Sequence, residues 1–598
     1  KLIKMDNKHK ISLLRKTMRD RKIDAFLQGT SDPHQSEYPP AHWSGRVWLT
    51  GFTGSAGTAI VTQRHAGLWT DSRYYLQAEQ ELKGTAFVLH KLVVQTQAEY
   101  VDWLCKTLPT GSVVGCDFWC YSMAQIGYFK KTLEAAGLKL ANCGDLLEGI
   151  WQDRAPLPIT PVYEHEVKYA GKTRAEKLNE VRKSMKKLSA DWFLVSALDE
   201  VAWVLNLRGS DVPCNPVFVA YLAIGPKESI LFTKTSKIPE SIRKSLAKNN
   251  IVIRAYERIS GFAETLRKKK VWIDPSTLNA QLSIMLSESS LLSAPSCIMQ
   301  QKAVKNSTEM KHLRRAMEKD AIAIMNTLMW LEDQHANGQF PTEFELSEKL
   351  IQCRSRSRSY VNESFNAIVG YNANGAIIHY RPEKRSSSKI RPSGILLLDS
   401  GGQYLDGTTD ITRTIRLGRI KPQIKKQYTA VLMGHIALAR CIFPQGTKGI
   451  QFDILARQFL WNLGLNYSHG TGHGVGFFMN VHEPPQGFVT AFNQRGSTEY
   501  TVGMLTSNEP GYYEEGSHGI RIENLVLSVP HCEGPDGQFL AFETMTLFPI
   551  DTSLIEYNMM DRTSVEWLNN YHREVYARLQ KYCNTQQKKW LKERCKSI

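Results

Sequence analysis

Arg15, Lys16, Met18, Asp24, Phe26 and Leu27 recur 167 positions later as Arg182, Lys183, Met185, Asp191, Phe193 and Leu194. In each copy a basic stretch with helical spacing runs into a short apolar segment, the pattern of a helix followed by a buried strand. A chain that writes this unit twice at domain spacing is constrained to two related α/β domains, because each copy must bury its own strand. They are read over residues 5–160 and 170–305, joined by the Pro-rich stretch from Arg154 to Pro161; Lys1–Lys4 stand before Met5. The remaining part, 306–598, opens with a helical stretch from about Ser307 to Gln334. A length of 598 residues agrees with three or four domains.

Carboxylates dominate the strand ends of this last part. Asp399 closes the apolar run Ile395 to Leu398, and Asp410 lies in Thr409 to Ile415, whose alternation and β-branched content predict a strand. Two adjacent strands can therefore present both acids to one point. Glu523 lies in Ile520 to Leu527, where a period of two puts it on one inward face with Arg521, Leu525 and Leu527. Glu509 ends the run Val502 to Asn508 at the turn Pro510-Gly511. Desolvating an unpaired carboxylate costs several kcal/mol, so inward acids are paired, protonated or bound to a cation. The segment His469-Gly-Thr-Gly-His473-Gly-Val-Gly adds two imidazoles on a backbone that can approach closely, and it lacks the Lys-Ser/Thr of a phosphate loop. Asp399, Asp410, His473, Glu509 and Glu523 together read as a dinuclear metal site. Solvated or salt-bridged acids would satisfy the same spacing, with 58 acidic residues to draw from, and Arg521 is the ordinary partner for Glu523.

Composition excludes several classes. With 42% apolar residues the chain can bury a large core, yet no apolar run approaches the roughly 18 residues of a membrane span, and the start is too polar for a secretory signal. A soluble protein is expected. Eleven scattered cysteines form neither a disulfide framework nor a zinc finger, which fits reduced thiols in the cytoplasm. The ending Cys595-Lys-Ser-Ile lacks the aliphatic pair of a prenylation signal. An Asn466-Tyr-Ser468 sequon abuts the histidine segment, where a glycan would block a site, and this also fits a protein that is not secreted. The net charge of +17, the run Arg354-Ser-Arg-Ser-Arg-Ser359 and the basic tail Lys588 to Lys596 have no nucleic-acid recognition fold around them; a solvated surface and an amphipathic terminal helix are expected.

A set of motifs carries a resemblance. These are Asn374-Gly-Ala-Ile-Ile-His379-Tyr, Leu398-Asp399-Ser-Gly, Asp406-Gly-Thr-Thr-Asp410-Ile-Thr-Arg-Thr, the His469 to Gly476 segment, Asn480-Val-His482-Glu-Pro, Asn508-Glu509-Pro-Gly-Tyr-Tyr and Gly519-Ile-Arg-Ile-Glu523-Asn. Over most of its length the chain resembles the pita-bread metallopeptidases, and within them the three-domain Xaa-Pro aminopeptidases (aminopeptidase P) of the cytosolic type. Thr50-Gly-Phe-Thr-Gly-Ser-Ala-Gly and Asp71-Ser-Arg-Tyr-Tyr match the first domain of that family, and Asn206-Leu-Arg-Gly-Ser-Asp211 its second. The implied fold is mixed α/β (α+β), with two creatinase-like N-terminal domains before a pita-bread catalytic domain. The implied activity is removal of the N-terminal residue from peptides with proline second, by a hydroxide bridging two metals.

By the same resemblance Asp399, Asp410, His473, Glu509 and Glu523 are the metal ligands, with Asp410 and Glu523 bridging. Glu509 is the proton acceptor, and His379, His469 and His482 surround the substrate. Arg521 and Glu37 join His379 and His482 on the substrate side, Glu37 by reaching a neighbouring active site to hold the substrate's amino terminus. A carboxylate-rich shell with one imidazole favours Mn²⁺, with Zn²⁺, Co²⁺ or Fe²⁺ as alternatives. The implied assembly is a homodimer, without nucleic acid or membrane. A second helix ending near Gly464 has Phe452, Leu455, Phe459 and Leu463 on one core face, and Trp461, off that face, is a candidate subunit contact. The rival readings are a prolidase, which cuts only dipeptides, a methionine aminopeptidase, which lacks both leading domains, and a pita-bread binding module without catalysis.

Overall fold

The computed structural model describes residues 6–93 and 98–598, so the Lys1–Lys4 extension lies outside the described residues. The chain forms two compact units. Unit 1 comprises Lys1–His165, Lys172–Pro213 and Val217–Ile298; unit 2 comprises Glu166–Gly171, Cys214–Pro216 and Met299–Ile598.

Unit 1 holds two six-stranded sheets. The first is built from β1 (Ala25–Gln28), β2 (Thr58–Thr62), β3 (Ala66–Thr70), β4 (Val88–Lys91), β5 (Val113–Cys116) and β6 (Lys139–Asn142), in the order β4-β3-β2-β1-β5-β6. The second contains β7 (Trp192–Val195), β8 (Ala220–Ile224), β9 (Ser229–Thr233), β10 (Ile251–Arg254), β11 (Lys270–Ile273) and β12 (Ser290–Ser293), in the order β10-β9-β8-β7-β11-β12. Directions also repeat: the first strand of each sheet pairs antiparallel on one side and parallel on the other. The echoed residues explain the match. Helices Asn7–Asp20 and Arg174–Lys187 occupy equivalent places, Met18 and Met185 are buried on them, and Phe26, Leu27, Phe193 and Leu194 are buried on β1 and β7. The loop after β1 carries Glu37. It is pinned by Asp32, whose carboxylate accepts from the His34 and Ser36 amides, and by His34, whose Nδ1 lies 2.8 Å from Ser196 O.

Unit 2 combines long helices with antiparallel sheets. Helices Ser307–Ala336, Glu343–Arg354, Pro422–Ala439, Gly449–Trp461 and Arg562–Leu579 pack on two antiparallel sheets, one of strands Ile368–Tyr371, Ile395–Ser400 and Ile411–Arg416, the other of six strands that include Gly472–Gly474, Leu505–Asn508 and Asn524–Gly534. Asn306 caps the first helix by accepting from Thr308 N and Glu309 N, and the apolar core runs through Ile324, Leu328, Leu396, Val431, Ile436, Leu568 and Val575.

Three expectations need correction. Ile520 to Leu527 is not one strand: His518–Arg521 and Asn524–Gly534 are separate, and Glu523 lies in the break with its amide donating to Thr412 O. Every residue from Ile520 to Leu527 is buried, so alternation carries no face information there. In helix Gly449–Trp461 the inward residues are Phe452, Asp453, Ala456, Arg457 and Leu460; Leu455 and Phe459 are only partly buried and Leu463 is exposed beyond the helix end. Arg354, in the Arg-Ser run, is fully buried and paired with Asp320 (2.8 Å) and Glu363 (2.5 Å). The basic tail forms the helix Thr585–Arg594 with Trp590 and Leu591 buried. Among the described residues no helix is long and apolar enough to cross a membrane.

Candidate active site

Strand geometry brings the five predicted ligands together. Strands Ile395–Ser400 and Ile411–Arg416 run antiparallel with Asp399 opposite Thr412 and Ser400 opposite Ile411, so Asp399 near the end of one strand and Asp410 just before the other share one edge. His473 is the middle residue of strand Gly472–Gly474, and Glu509 directly follows Leu505–Asn508, its amide donating to Thr471 O at 2.8 Å. The flanking glycines allow this approach: a Cβ on Gly472 would lie 1.9 Å from Ser507 O, and one on Gly474 2.3 Å from Glu483 O.

Asp410, His473 and Glu523 each offer a donor atom within 4.8 Å of the others, all buried. His473 Nε2 lies 3.6 Å from Asp410 Oδ2 and 3.3 Å from Glu509 Oε1. Its Nδ1 lies 3.0 Å from Gly474 O and donates there, so in the neutral ring the Nε2 lone pair faces the carboxylate oxygens. Oδ1 of Asp399 and Oε1 of Glu523 are buried without a hydrogen-bond partner. Burial, reinforced by Glu523, Asp399 and Glu509, holds the Asp410 carboxyl well above the usual range; Glu523 is raised by burial with Glu509 and Asp399. Glu509 is pushed up to about 7 by burial, which the opposing charge of Arg521 only partly offsets and Asp399 reinforces. Carboxylates crowded together in a desolvated space are stabilised by protons or by a bound cation. The residues present fit divalent metal, and their oxygen-rich shell suits hard ions.

The surrounding shell orients these groups. Arg521 reaches Asp399 Oδ2 through Nη2 at 2.5 Å, Tyr513 OH through Nη1 at 2.6 Å and Thr412 Oγ1 through Nε at 3.2 Å. Its donors are therefore committed within the cluster, to Asp399 rather than to the expected Glu523. Thr412 donates to Glu523 Oε2 at 2.7 Å, and Tyr513 OH lies 2.9 Å from His469 Nε2. Since His469 Nδ1 lies 2.8 Å from Gly470 O, Nε2 accepts from the tyrosine. Arg457, ion-paired with Asp453, donates to the carbonyls of Tyr467 and His469 and so fixes the histidine loop. His482 packs edge-on against His473, ring centroids 4.3 Å apart. His379 is half-buried in the loop after Asn372–Ala376, next to Ile378, whose carbonyl lies 3.5 Å from Arg521 Nη2. Glu37 belongs to unit 1, where it is exposed.

Tyr513, Thr412 and His435 were not singled out from the sequence. Tyr513 and Thr412 at least fall inside quoted motifs. His435 had no local signal: from helix Pro422–Ala439 its Nδ1 faces Asn508 O and its Nε2 faces Asn524 Nδ2, each at 3.1 Å, bracing the strands that carry Glu509 and Glu523.

The fold and the site define a metallopeptidase, and the chain belongs to metallopeptidase family M24: residues 311–529 match that family and 538–598 its C-terminal region, while 10–150 and 153–309 each match a creatinase/prolidase N-terminal domain. The chain is 39% identical to aminopeptidase P2 of Arabidopsis thaliana, over 93% of this chain and 83% of that protein. It is 37% identical to Xaa-Pro aminopeptidase 1 of Dictyostelium discoideum, over 98% and 96%. Its structure is similar to that of the X-prolyl aminopeptidase from Caenorhabditis elegans, described as a cytosolic enzyme with a di-nuclear active site, with a TM-score of 0.94 and 34% identity over 99% of this chain and 100% of that one.

Proposed function

We propose that the protein is a metal-dependent aminopeptidase that releases the N-terminal residue from peptides with proline in the second position. The observation that carries the reading is the convergence of Asp410, His473 and Glu523, with Asp399 and Glu509 alongside, in a buried space where Asp399 Oδ1 and Glu523 Oε1 have no hydrogen-bond partner. The names of the plant, amoebal and nematode relatives support the same substrate class. Residues 5–160 and 170–305 would be the two creatinase-like domains and 306–598 the catalytic one.

Asp399, Asp410, His473, Glu509 and Glu523 would hold two divalent ions, Mn²⁺ by the hardness of the donors, with Zn²⁺, Co²⁺ or Fe²⁺ as alternatives. Bound there, such ions supply Lewis-acid polarisation of the scissile carbonyl and activation of water. Glu509 takes the proton as the water oxygen bonds to the carbonyl carbon. His379 and His482 steady the developing oxyanion and pass a proton to the departing nitrogen, which belongs to a tertiary amide and has no hydrogen of its own. His469, held by Tyr513, lines the same pocket, and Arg521 fixes Asp399 and Tyr513. Glu37 would hold the substrate's ammonium in the site of a second subunit of a homodimer. The exposed Ile454 (53%) and Trp461 (46%) on helix Gly449–Trp461 support such a contact, and the description of the nematode enzyme supports a cytoplasmic setting.

The test is hydrolysis of an Xaa-Pro-Pro tripeptide, an Xaa-Pro dipeptide and an Xaa-Ala-Ala control by metal-stripped protein with and without Mn²⁺. Metal-dependent release of Xaa from the Pro-containing tripeptide is expected. Cleavage confined to the dipeptide would mean a prolidase, and no cleavage by metal-loaded protein would mean a binding module. Glu37→Ala is expected to raise KM for the tripeptide; unchanged KM and kcat would remove Glu37 from the site.

A further inference from the structure

His65 lies in the turn between β2 and β3, and His90 lies on the edge strand β4, where it pairs with Trp69 of β3. Their Nε2 atoms are 3.0 Å apart. Both rings are held rather than free to wander. His90 lies flat on Trp69, with ring centroids 3.9 Å apart and planes within 8° of parallel, and His65 packs on Trp103 at 5.0 Å. Gly67 makes room beneath, since a Cβ there would come within 2.7 Å of His65 Nε2. Both side chains are half-buried, at the surface of the sheet. Burial lowers both imidazoles below their ordinary pKa, helped by Arg15 at His65 and by His65 at His90, so both rings are neutral at pH 7, the form that ligates metal.

Without a metal, one N–H···N hydrogen bond accounts for the contact. The separation also has a coordination meaning. Two imidazole nitrogens bound at about 2.0–2.1 Å to one ion and lying 3.0 Å apart subtend about 90–95° at it, the cis angle of a square-planar or tetragonal centre; a tetrahedral ion would set them about 3.4 Å apart. We propose that His65 and His90 form a two-histidine site for a Cu²⁺- or Ni²⁺-type ion, with water in the remaining positions. On binding, the ring that carries its proton on Nε2 changes tautomer, that proton leaving Nε2 as solvent supplies one to Nδ1, so both rings stay neutral and both Nε2 lone pairs go to the metal. An imidazole pair suits these ions and the cis angle favours them over a tetrahedral one, whereas the carboxylate shell around His473 favours hard ions, so one chain would carry two sites of different metal preference.

The experiment is a Cu²⁺ titration of the full chain kept in excess Mn²⁺, read by electron paramagnetic resonance and by tryptophan quenching, for the wild type, His65→Gln and His90→Gln. The expected wild-type spectrum shows a signal with two nitrogen couplings that disappears in both His65→Gln and His90→Gln, which copper bound near His473 and His482 would not do. Each variant is expected to lose one bound Cu²⁺ or to bind it at least about tenfold more weakly, since removing a direct ligand costs no less than removing an outer-shell partner, while hydrolysis in the absence of copper is unchanged. Equal copper binding in all three proteins, or a wild-type spectrum with a single nitrogen coupling, would overturn the proposal. If one variant does not fold the other decides, since both would remove a ligand of the same ion.

Discussion

Glu343 shows how much of this site rests on residues that never reach it. It is fully buried at the start of helix Glu343–Arg354, and its carboxylate accepts from Tyr371 N (2.7 Å), Asn374 Nδ2 (3.0 Å), Tyr380 OH (2.8 Å) and Ser388 N (2.8 Å). These donors bracket His379, so Glu343 is a positioning residue for that loop. Glu343→Gln keeps the shape but turns a donor toward donors, an expected loss of about 1–3 kcal/mol in urea unfolding. kcat/KM should fall with Mn²⁺ affinity unchanged, because none of the five ligands is touched; weakened metal binding with normal kcat/KM would contradict this role. Arg521 acts differently. Arg521→Met leaves Asp399 as a buried carboxylate without its cation, a change worth roughly 3–5 kcal/mol. Metal-free Arg521→Met protein should melt lower than the metal-free wild type and gain more from added Mn²⁺, as thermal denaturation with and without chelator would show.

At the scale of elements, the site depends on where strands stop. The break between His518–Arg521 and Asn524–Gly534 frees Glu523 from the ladder while Thr412 holds its carboxylate, and His435 braces both flanking strands from the helix behind. Periodicity could not reveal the break, because a segment buried on both faces shows no alternation. The apolar stripe on Gly449–Trp461 was misplaced for a related reason: Asp453 and Arg457 occupy inward positions in order to hold the histidine loop. Helix Arg562–Leu579 closes the core through His572, whose Nε2 accepts from Ile550 N at 3.1 Å. Burial, with Arg413 adding to it, lowers this imidazole to about 4. The unfolded chain titrates near 6.5, so the stability from the neutral ring is complete above about pH 6.5 and is lost as pH falls through about 4, roughly 3 kcal/mol in all. Stability measured in denaturant from pH 7 to 4 should fall more steeply for the wild type than for His572→Gln. Equal slopes would show that His572 does not titrate in this window.

For the whole molecule, unit 1 contributes two sheets of one topology and unit 2 supplies the ligand cluster, so metal should act on the stability of unit 2. At a free concentration of about 100 times Kd, a bound ion that is absent from the unfolded chain adds about 2.7 kcal/mol. Calorimetry of the chelated and Mn²⁺-loaded protein should therefore show one transition raised by several degrees. Identical traces would mean that the cluster binds no metal in the folded state. The charge of +17 is also placed by the fold: some of the basic residues that stand out in the sequence, Arg354 above all, serve as buried struts.

The repeat at 167 residues by itself determined two like sheets, because an equal run of helix and strand signals must close its core in the same way. Residue type by itself determined the chemistry on offer, since four acids and an imidazole at strand ends can do little else when buried together. Only the tertiary structure decided that these groups meet. It fixed the lone pair of His473 toward the carboxylates through Gly474 O, turned Glu523 inward at a strand break, and brought Tyr513, Thr412 and His435 to the cluster from other elements. Those outcomes depend on contacts between residues far apart in the chain, and local periodicity carries the face of an element but not the neighbour that the face will find.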